Sequence, residues 1–272
     1  SNANREALQQ YTQLLVHDPE NIEALYGAGS LNLKFGLLNR ASIHFEKILV
    51  IYPEEDRSRL YLSEILSELG NHKEALDLLD QISSREMYLE SQIQVGIILS
   101  ELGRTEDALR HLSDVRTKTT KDQIRVYLVR EQILRDSDQP QRALSLLNEA
   151  LLDIPNDLDL LYARGLVAAS LGLIKEHEMD MRLLIKMQPR NAHAYNALGY
   201  TLATETDRFS EALELIEKAI ELSPGDPYIL DSLGWIHYQL GNLNLSLQYL
   251  ELAMKQQPDA EIAAHLGEVL WK

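Results

Sequence analysis

A pattern of small and apolar residues that returns about every 34 residues is the feature that most restricts the fold of this chain. Between Pro227 and Pro258 it reads as the pair Leu233-Gly234 followed by Ser246. The glycine recurs along the chain as Gly29, Gly96, Gly165, Gly199 and Gly234. The apolar residues around it keep helical spacing, and no strand-like alternation competes with that spacing. A small residue at a fixed position lets two helices cross closely, so the repeat predicts successive pairs of packed helices.

The full motif in this stretch resembles a known repeat. It consists of Leu230, Leu233, Gly234, His237, Ser246, Leu250, Ala253 and Pro258. This arrangement is similar to the tetratricopeptide repeat (TPR), in which two antiparallel helices follow a W-x2-L-G-x2-Y pattern. The resemblance implies an all-α fold, a right-handed superhelical TPR solenoid of antiparallel helix pairs, with about sixteen helices in all.

The motif divides the chain into seven full repeats between two half repeats. The full repeats are predicted at 22–55, 56–88, 89–123, 124–157, 158–191, 192–226 and 227–260, and the half repeats at 4–21 and 261–272. Residues 1–3 are interpreted as a remnant of an expression tag. Because a repeat array buries its core between neighbouring repeats, residues 4–272 are predicted to form one continuous solenoid domain.

The repeat at 124–157 departs from the motif in its first helix. Arg130 and Glu131 stand where the other repeats carry a large apolar residue and a small one. Since an unpaired buried charge is costly, the two side chains are expected either to point to solvent or to find partners.

The sequence carries no motif typical of catalysis or of cofactor binding. It contains no cysteine, and its eight histidines show no metal-ligand spacing. No phosphate-binding loop, nucleophile elbow or dinucleotide fingerprint occurs, and the repeat period itself explains the recurring glycines. We therefore predict that the chain is not an enzyme, needs no cofactor, and has no catalytic residue and no metal site.

Charge and hydropathy restrict the partners. The formal net charge is −16, with acidic residues in every repeat, which argues against nucleic acid because that ligand needs clustered Lys and Arg. The acidic surface permits a basic partner, although such surfaces more often confer solubility. No run of about 18 apolar residues exists, so the sequence predicts no transmembrane segment.

The first helices of successive repeats are expected to line a concave inner face, where a protein or an extended peptide would bind. In the C-terminal half this face is rich in aromatic and hydrogen-bonding side chains. The predicted partner-binding residues are Tyr162, His193, Asn196, Tyr200, Tyr228, Asp231, Trp235 and Tyr238. Aromatic rings give a large contact area at a low entropy cost. For Tyr162 and Tyr228 the alternative is that the ring simply packs between helices.

The C-terminal third carries a narrower resemblance. Residues 190–272 include the stretches NALGYTLATETDRFSEALELIEKAIELSPGDPYILDSLGWIHYQLG and EIAAHLGEVLW. They resemble proteobacterial outer-membrane TPR lipoproteins that act as adaptors for a periplasmic carboxyl-terminal processing protease. The resemblance implies an adaptor that presents substrates to that protease, in a full-length protein held at the outer membrane by an N-terminal lipid.

Two other functions stay open from the sequence. In the first, the protein is a structural module that assembles through the edges of the solenoid rather than its groove. Self-association through the two half repeats is then expected. Alternatively, the repeats form the accessory domain of a larger enzyme.

Overall fold

A computed structural model of the chain describes residues 2–272, and these residues form α-helices and no strand. The sixteen helices are α1 (Asn2–His17), α2 (Ile22–Lys34), α3 (Leu38–Ile51), α4 (Asp56–Glu68), α5 (His72–Asp80), α6 (Tyr88–Glu101), α7 (Thr105–Ser113), α8 (Thr120–Asp136), α9 (Pro140–Asp153), α10 (Leu158–Ser170), α11 (Ile174–Met187), α12 (Ala192–Glu205), α13 (Phe209–Leu222), α14 (Pro227–Gln239), α15 (Leu243–Gln256) and α16 (Ala260–Trp271). The predicted all-α class with about sixteen helices is confirmed.

The chain divides into two compact units, Ser1–Ser137 and Asp138–Lys272, here called the N-terminal and C-terminal units. Within each unit, substantial contacts join helices that are one or two places apart in the chain. The prediction of one solenoid over residues 4–272 stays a prediction. So does the interpretation of residues 1–3 as a tag remnant: Ser1 lies outside the described residues, and Asn2 and Ala3 begin α1.

The small residues of the motif have the packing role that the sequence predicts. A Cβ atom added to Gly234 would lie 2.6 Å from Leu250 Cγ and 3.2 Å from the carbonyl oxygen of Ser246. Leu250 and Ser246 belong to α15, so the glycine lets α14 and α15 approach closely. Between these helices Gly241 adopts a left-handed φ of 79°, the conformation that ends a helix at low cost when the residue is glycine.

The core of the C-terminal unit runs continuously from α10 to α14. It is formed by Leu161, Met181, Leu184, Leu198, Leu202, Ile216, Ile229, Leu233 and Ile236, together with buried alanines. His177, which replaces the alanine usual at its position, is fully buried within this unit. Its Nδ1 and Nε2 lie 2.8 and 3.2 Å from the carbonyl oxygens of Gly165 and Ala197. The ring therefore links α11 to the helix on either side of it.

Two helices begin before the repeat boundaries predicted for them, and the boundaries themselves stay predictions. The predicted boundary at residue 124 falls inside α8, which begins at Thr120. Thr119 and Asp122 form a capping box there, each side chain bonding to the other residue's backbone N–H, and this starts the helix early. Similarly, α6 begins at Tyr88, one residue before the boundary expected at 89.

Arg130 and Glu131, the two charged residues at packing positions in α8, each contact another side chain. This is one of the two outcomes that the sequence predicts. Glu131 is only 4% exposed and accepts a hydrogen bond from Arg135 Nε at 2.5 Å. Burial raises the pKa of the Glu131 carboxyl, although Arg135 acts in the opposite direction. The Arg130 guanidinium lies 5.8 Å from the centroid of the Tyr127 ring, at cation–π distance.

Candidate partner-binding surface

Three of the eight predicted binding residues, Tyr200, Trp235 and Tyr238, come together in the C-terminal unit around His265, which the sequence did not predict. The Trp235 and Tyr238 rings have centroids 5.2 Å apart. Trp235 also stacks on the His265 ring at 4.2 Å with an interplanar angle of 26°. Tyr200 lies 6.2 Å from the same imidazole. We call Tyr200, Trp235, Tyr238 and His265 the inner aromatic cluster, and Asp231 contacts it through His265.

The helical register of α14 explains why Trp235 and Tyr238 lie on this face. Leu233 and Ile236, beside them in the sequence, are buried in the core. His237 is also buried, 9% exposed, with its ring stacked on Tyr249 of α15. With those positions turned to the core and to α15, Trp235 and Tyr238 lie on the opposite side, where both are partly exposed.

Asp231 is engaged inside the protein. It is 5% exposed, and its two carboxylate oxygens lie 3.0 and 2.9 Å from His265 Nδ1. Burial alone lowers the pKa of His265, but the hydrogen bond and charge of Asp231 outweigh burial and the net shift is upward. The pair joins α14 to α16, so Asp231 positions His265 beneath the Trp235 ring instead of facing a ligand.

Two carboxylates of α16 border the inner aromatic cluster. The Tyr200 hydroxyl donates a hydrogen bond to Glu261 Oε1 at 3.3 Å, and the Tyr238 hydroxyl donates to Glu268 Oε1 at 3.2 Å. Burial first, and the neighbouring carboxylates second, raise the pKa of the Tyr200 hydroxyl. The pKa of Tyr238 is also raised, by desolvation and by Glu268. Both phenols therefore stay protonated and act as donors.

Two polar atoms near the cluster are buried without a hydrogen-bond partner among the described residues. They are Trp235 Nε1 and Asn196 Oδ1. Asn196 lies on α12, one turn before Tyr200. A buried polar group without a partner is unfavourable, and an ordered water or a bound ligand would satisfy it.

The remaining predicted residues lie away from the inner aromatic cluster. Tyr162 and His193 line a separate pocket of about 360 Å³ at the beginning of α10 and α12, whose other walls are Asp157, Leu158, Asp159, Gln188 and Asn191. Tyr162 also packs partly against the core, and burial followed by the charge of Asp226 raises its pKa. Tyr228 is 47% exposed, and its hydroxyl accepts a bond from Gln257 Nε2 at 2.6 Å. The eight residues thus belong to more than one surface.

Sequence reasoning missed the contribution of α16, namely His265, Glu261 and Glu268. A signal existed, because His265 follows Asp231 by 34 residues, one repeat period, and so occupies an inner-face position. The half repeat at 261–272 thus contributes to the inner face in the same way as a complete repeat.

The arrangement offers groups that suit the non-covalent binding of a ligand. It has aromatic faces, hydroxyl groups and carboxylates, but within residues 2–272 no three His, Asp or Glu side chains converge in the way that a metal ion requires. In the same residues no helix combines the length and the hydropathy needed to cross a bilayer.

Comparison with known proteins agrees with this picture. Tetratricopeptide repeat models match residues 203–268 and 1–56. Together with the solved structures described below, they confirm that the chain carries tetratricopeptide repeats. Proteins with this fold typically serve as non-catalytic scaffolds for protein–protein interaction.

Two curated relatives cover most of this chain. A TPR repeat-containing protein of Pseudomonas aeruginosa is 38% identical over 213 residues, which is 78% of this chain and 36% of the relative. The anaphase-promoting complex subunit 7 of Arabidopsis thaliana is 23% identical over 99% of this chain and 48% of its own length. The chain therefore spans less than half the length of either relative.

Two solved structures share the fold. A tetratricopeptide repeat protein from Parabacteroides merdae superposes with a TM-score of 0.64 at 16% identity, over 92% of this chain and 98% of that one. The APC/C hetero-tetramer Cut9-Hcn1 gives a TM-score of 0.56 at 15% identity, over 98% of this chain and 52% of the other. Likeness at this level of identity concerns the fold alone.

Proposed function

We propose that the chain is a non-catalytic scaffold that binds an extended segment of a partner protein at the inner aromatic cluster. The observation that carries the proposal is the row of partly exposed rings that Tyr200, Trp235 and Tyr238 form across α12 and α14. Trp and Tyr dominate binding energy at protein interfaces because they bury a large area with few rotatable bonds.

The first test is a selection from a phage-displayed library of random peptides, followed by affinity measurements on the enriched peptides. The double variant Trp235→Ala/Tyr238→Ala should weaken their binding about thirtyfold or more, the effect of losing an interface hot spot. Tyr52→Ala is the matched control, because it removes a tyrosine that is 53% exposed in the N-terminal unit. Circular dichroism and thermal melting establish that each variant is folded. Unchanged affinity in a folded double variant would remove the inner aromatic cluster as the binding surface.

A finer proposal concerns the partner and the compartment. The resemblance of residues 190–272 to outer-membrane TPR lipoproteins supports an adaptor that presents substrates to a carboxyl-terminal processing protease in the periplasm. Pull-down of such a protease by the wild-type chain, but not by Trp235→Ala/Tyr238→Ala, supports this partner. Fractionation of cells that produce the full-length protein tests the location, and recovery in the cytosol would contradict it.

Assembly is the second candidate function, favoured by a separate observation on α16. Trp271 is 90% exposed and Leu270 is 64% exposed. Gly267, on the same helix, has no atom within 4 Å of the place where a Cβ would stand, whereas the corresponding space at Gly234 is filled by Leu250. This end of the C-terminal unit therefore offers an apolar face that another helix is able to cover.

A further inference from the structure

We propose that the bound segment carries a lysine or arginine side chain, whose cation lies on the inner aromatic cluster between the carboxylates of Glu261 and Glu268. The inference rests on the proposed function and adds the chemistry of the ligand.

The two carboxylates are held by two different tyrosines of the cluster. Glu261 and Glu268 are two turns apart on α16, so they lie on the same face of that helix. Each accepts a hydrogen bond from a tyrosine hydroxyl of the cluster, at 3.3 Å from Tyr200 and 3.2 Å from Tyr238. A carboxylate has capacity for several hydrogen bonds. Each one therefore keeps acceptor positions for a cationic donor from outside.

The charge around the rings favours a cation. Asp231 and His265 face each other at 2.9 Å and compensate one another when the imidazole is protonated. Glu205, at the end of α12, adds a third negative charge near Tyr200. No Lys or Arg within residues 2–272 forms an ion pair with Glu261 or Glu268, whose hydrogen bonds come from the tyrosines. The net local charge is thus negative, as it is for the whole chain at −16.

The rings provide the second part of the recognition. The face of a Trp or Tyr ring attracts an ammonium or guanidinium group within about 6 Å of its centroid. The ring centroids of Trp235 and Tyr238 are only 5.2 Å apart, so one cation is able to contact both rings from the side of Trp235 that the stacked His265 ring leaves uncovered. A purely apolar segment would contact the rings and leave the carboxylates without a partner. An acidic segment would be repelled by the carboxylates.

The test uses peptides enriched from the phage-displayed library on the wild-type chain. We expect the enriched sequences to share a lysine or arginine, and a synthetic copy with norleucine at that position to bind about tenfold more weakly. Glu261→Gln/Glu268→Gln should weaken the basic peptide about fivefold to tenfold and reduce the dependence of its affinity on salt. Glu214→Gln/Glu251→Gln is the matched control, since it removes two exposed carboxylates from α13 and α15. This control should bind as the wild type does.

The possible failures are distinguishable. If the peptides depend on Trp235 and Tyr238 but share no basic residue, or if Glu261→Gln/Glu268→Gln binds them normally, the basic ligand is refuted and the proposed function stands. An equal loss in Glu214→Gln/Glu251→Gln means that the overall charge, and not this surface, attracts the peptide, which also refutes the inference. If the wild-type chain enriches no peptide, the proposed function and this inference fall together.

Discussion

At the scale of single residues, the pair Asp231 and His265 connects the stability of the C-terminal unit to its inner surface. Both side chains are largely buried, with exposures of 7% and 12%. The imidazole stacks on Trp235 at 4.2 Å. By orienting His265, Asp231 thus positions the imidazole ring on which Trp235, part of the proposed binding surface, is stacked.

The raised pKa of His265 predicts a specific pH dependence. The folded state favours the protonated imidazole, so the stabilisation is complete below the ordinary histidine pKa of about 6.5 and is lost as pH rises through the higher folded-state value. Asp231→Asn removes this stabilisation, and it should cost about 1–3 kcal/mol of the free energy of unfolding at acidic pH and less at alkaline pH. Urea unfolding over this pH range measures the difference.

The comparison between wild type and variant is needed because other histidines titrate in the opposite sense. Burial lowers the pKa of His44 and of His237, so their contributions increase as pH rises. These contributions cancel in the difference between the two proteins. A difference that is constant with pH would show that Asp231 stabilises the fold without the charge on His265.

At the scale of helices, a closely packed glycine and an uncrowded one lie in the same kind of first helix and make a matched pair. Gly234→Ala brings a methyl group to 2.6 Å from Leu250 Cγ, so it should destabilise the chain by about 1–3 kcal/mol through overpacking. Gly267→Ala meets no atom within 4 Å, and it should stabilise α16 by about 0.5 kcal/mol because alanine is the better helix former. Thermal and urea unfolding measure both. Equal effects of the two substitutions would contradict the packing argument.

The sequence predicts the helical elements well because their signals are local. The repeat period, the small residue where helices cross and the left-handed glycine at the turn each act within one repeat. The early start of α8 was not predicted, because the capping box of Thr119 and Asp122 lies before the motif.

The binding surface is only partly predictable from the sequence, because inner-face position does not determine what a side chain contacts. Position alone places Asp231 and Trp235 on one face. It does not show that His265 takes up the Asp231 carboxylate, or that Tyr162 lines a different pocket. Those outcomes depend on packing between repeats, which a single sequence leaves unspecified.

At the scale of the whole molecule, the acidic surface and the contact pattern act together. Substantial contacts within each unit join helices one or two places apart, as expected for repeats stabilised by their neighbours. A net charge of −16 disfavours non-specific association between copies and speeds the approach of a basic partner. Both charge effects are consistent with the proposed binding of a basic segment at the inner aromatic cluster.

The exposed end of α16 allows the two proposed functions, peptide binding and assembly, to be tested separately. Trp271 and Leu270 are two exposed apolar side chains. A contact made by these two alone would bury much less than the area of a stable interface, which is about 800 Å² per partner. We therefore expect self-association of the chain to be weak and dependent on concentration. Trp271→Ala should abolish it, with no change in peptide affinity, because Trp271 is not part of the inner aromatic cluster.

Light scattering over a wide range of protein concentration, together with peptide titrations on the same samples, measures both properties. A dimer that persists at the lowest concentration, and that Trp271→Ala converts to a monomer, would make assembly the principal role of this end. Loss of peptide binding in the same variant would show that the surface is completed by a second copy. We expect weak self-association and peptide binding that does not depend on it, because Trp271 is not part of the inner aromatic cluster.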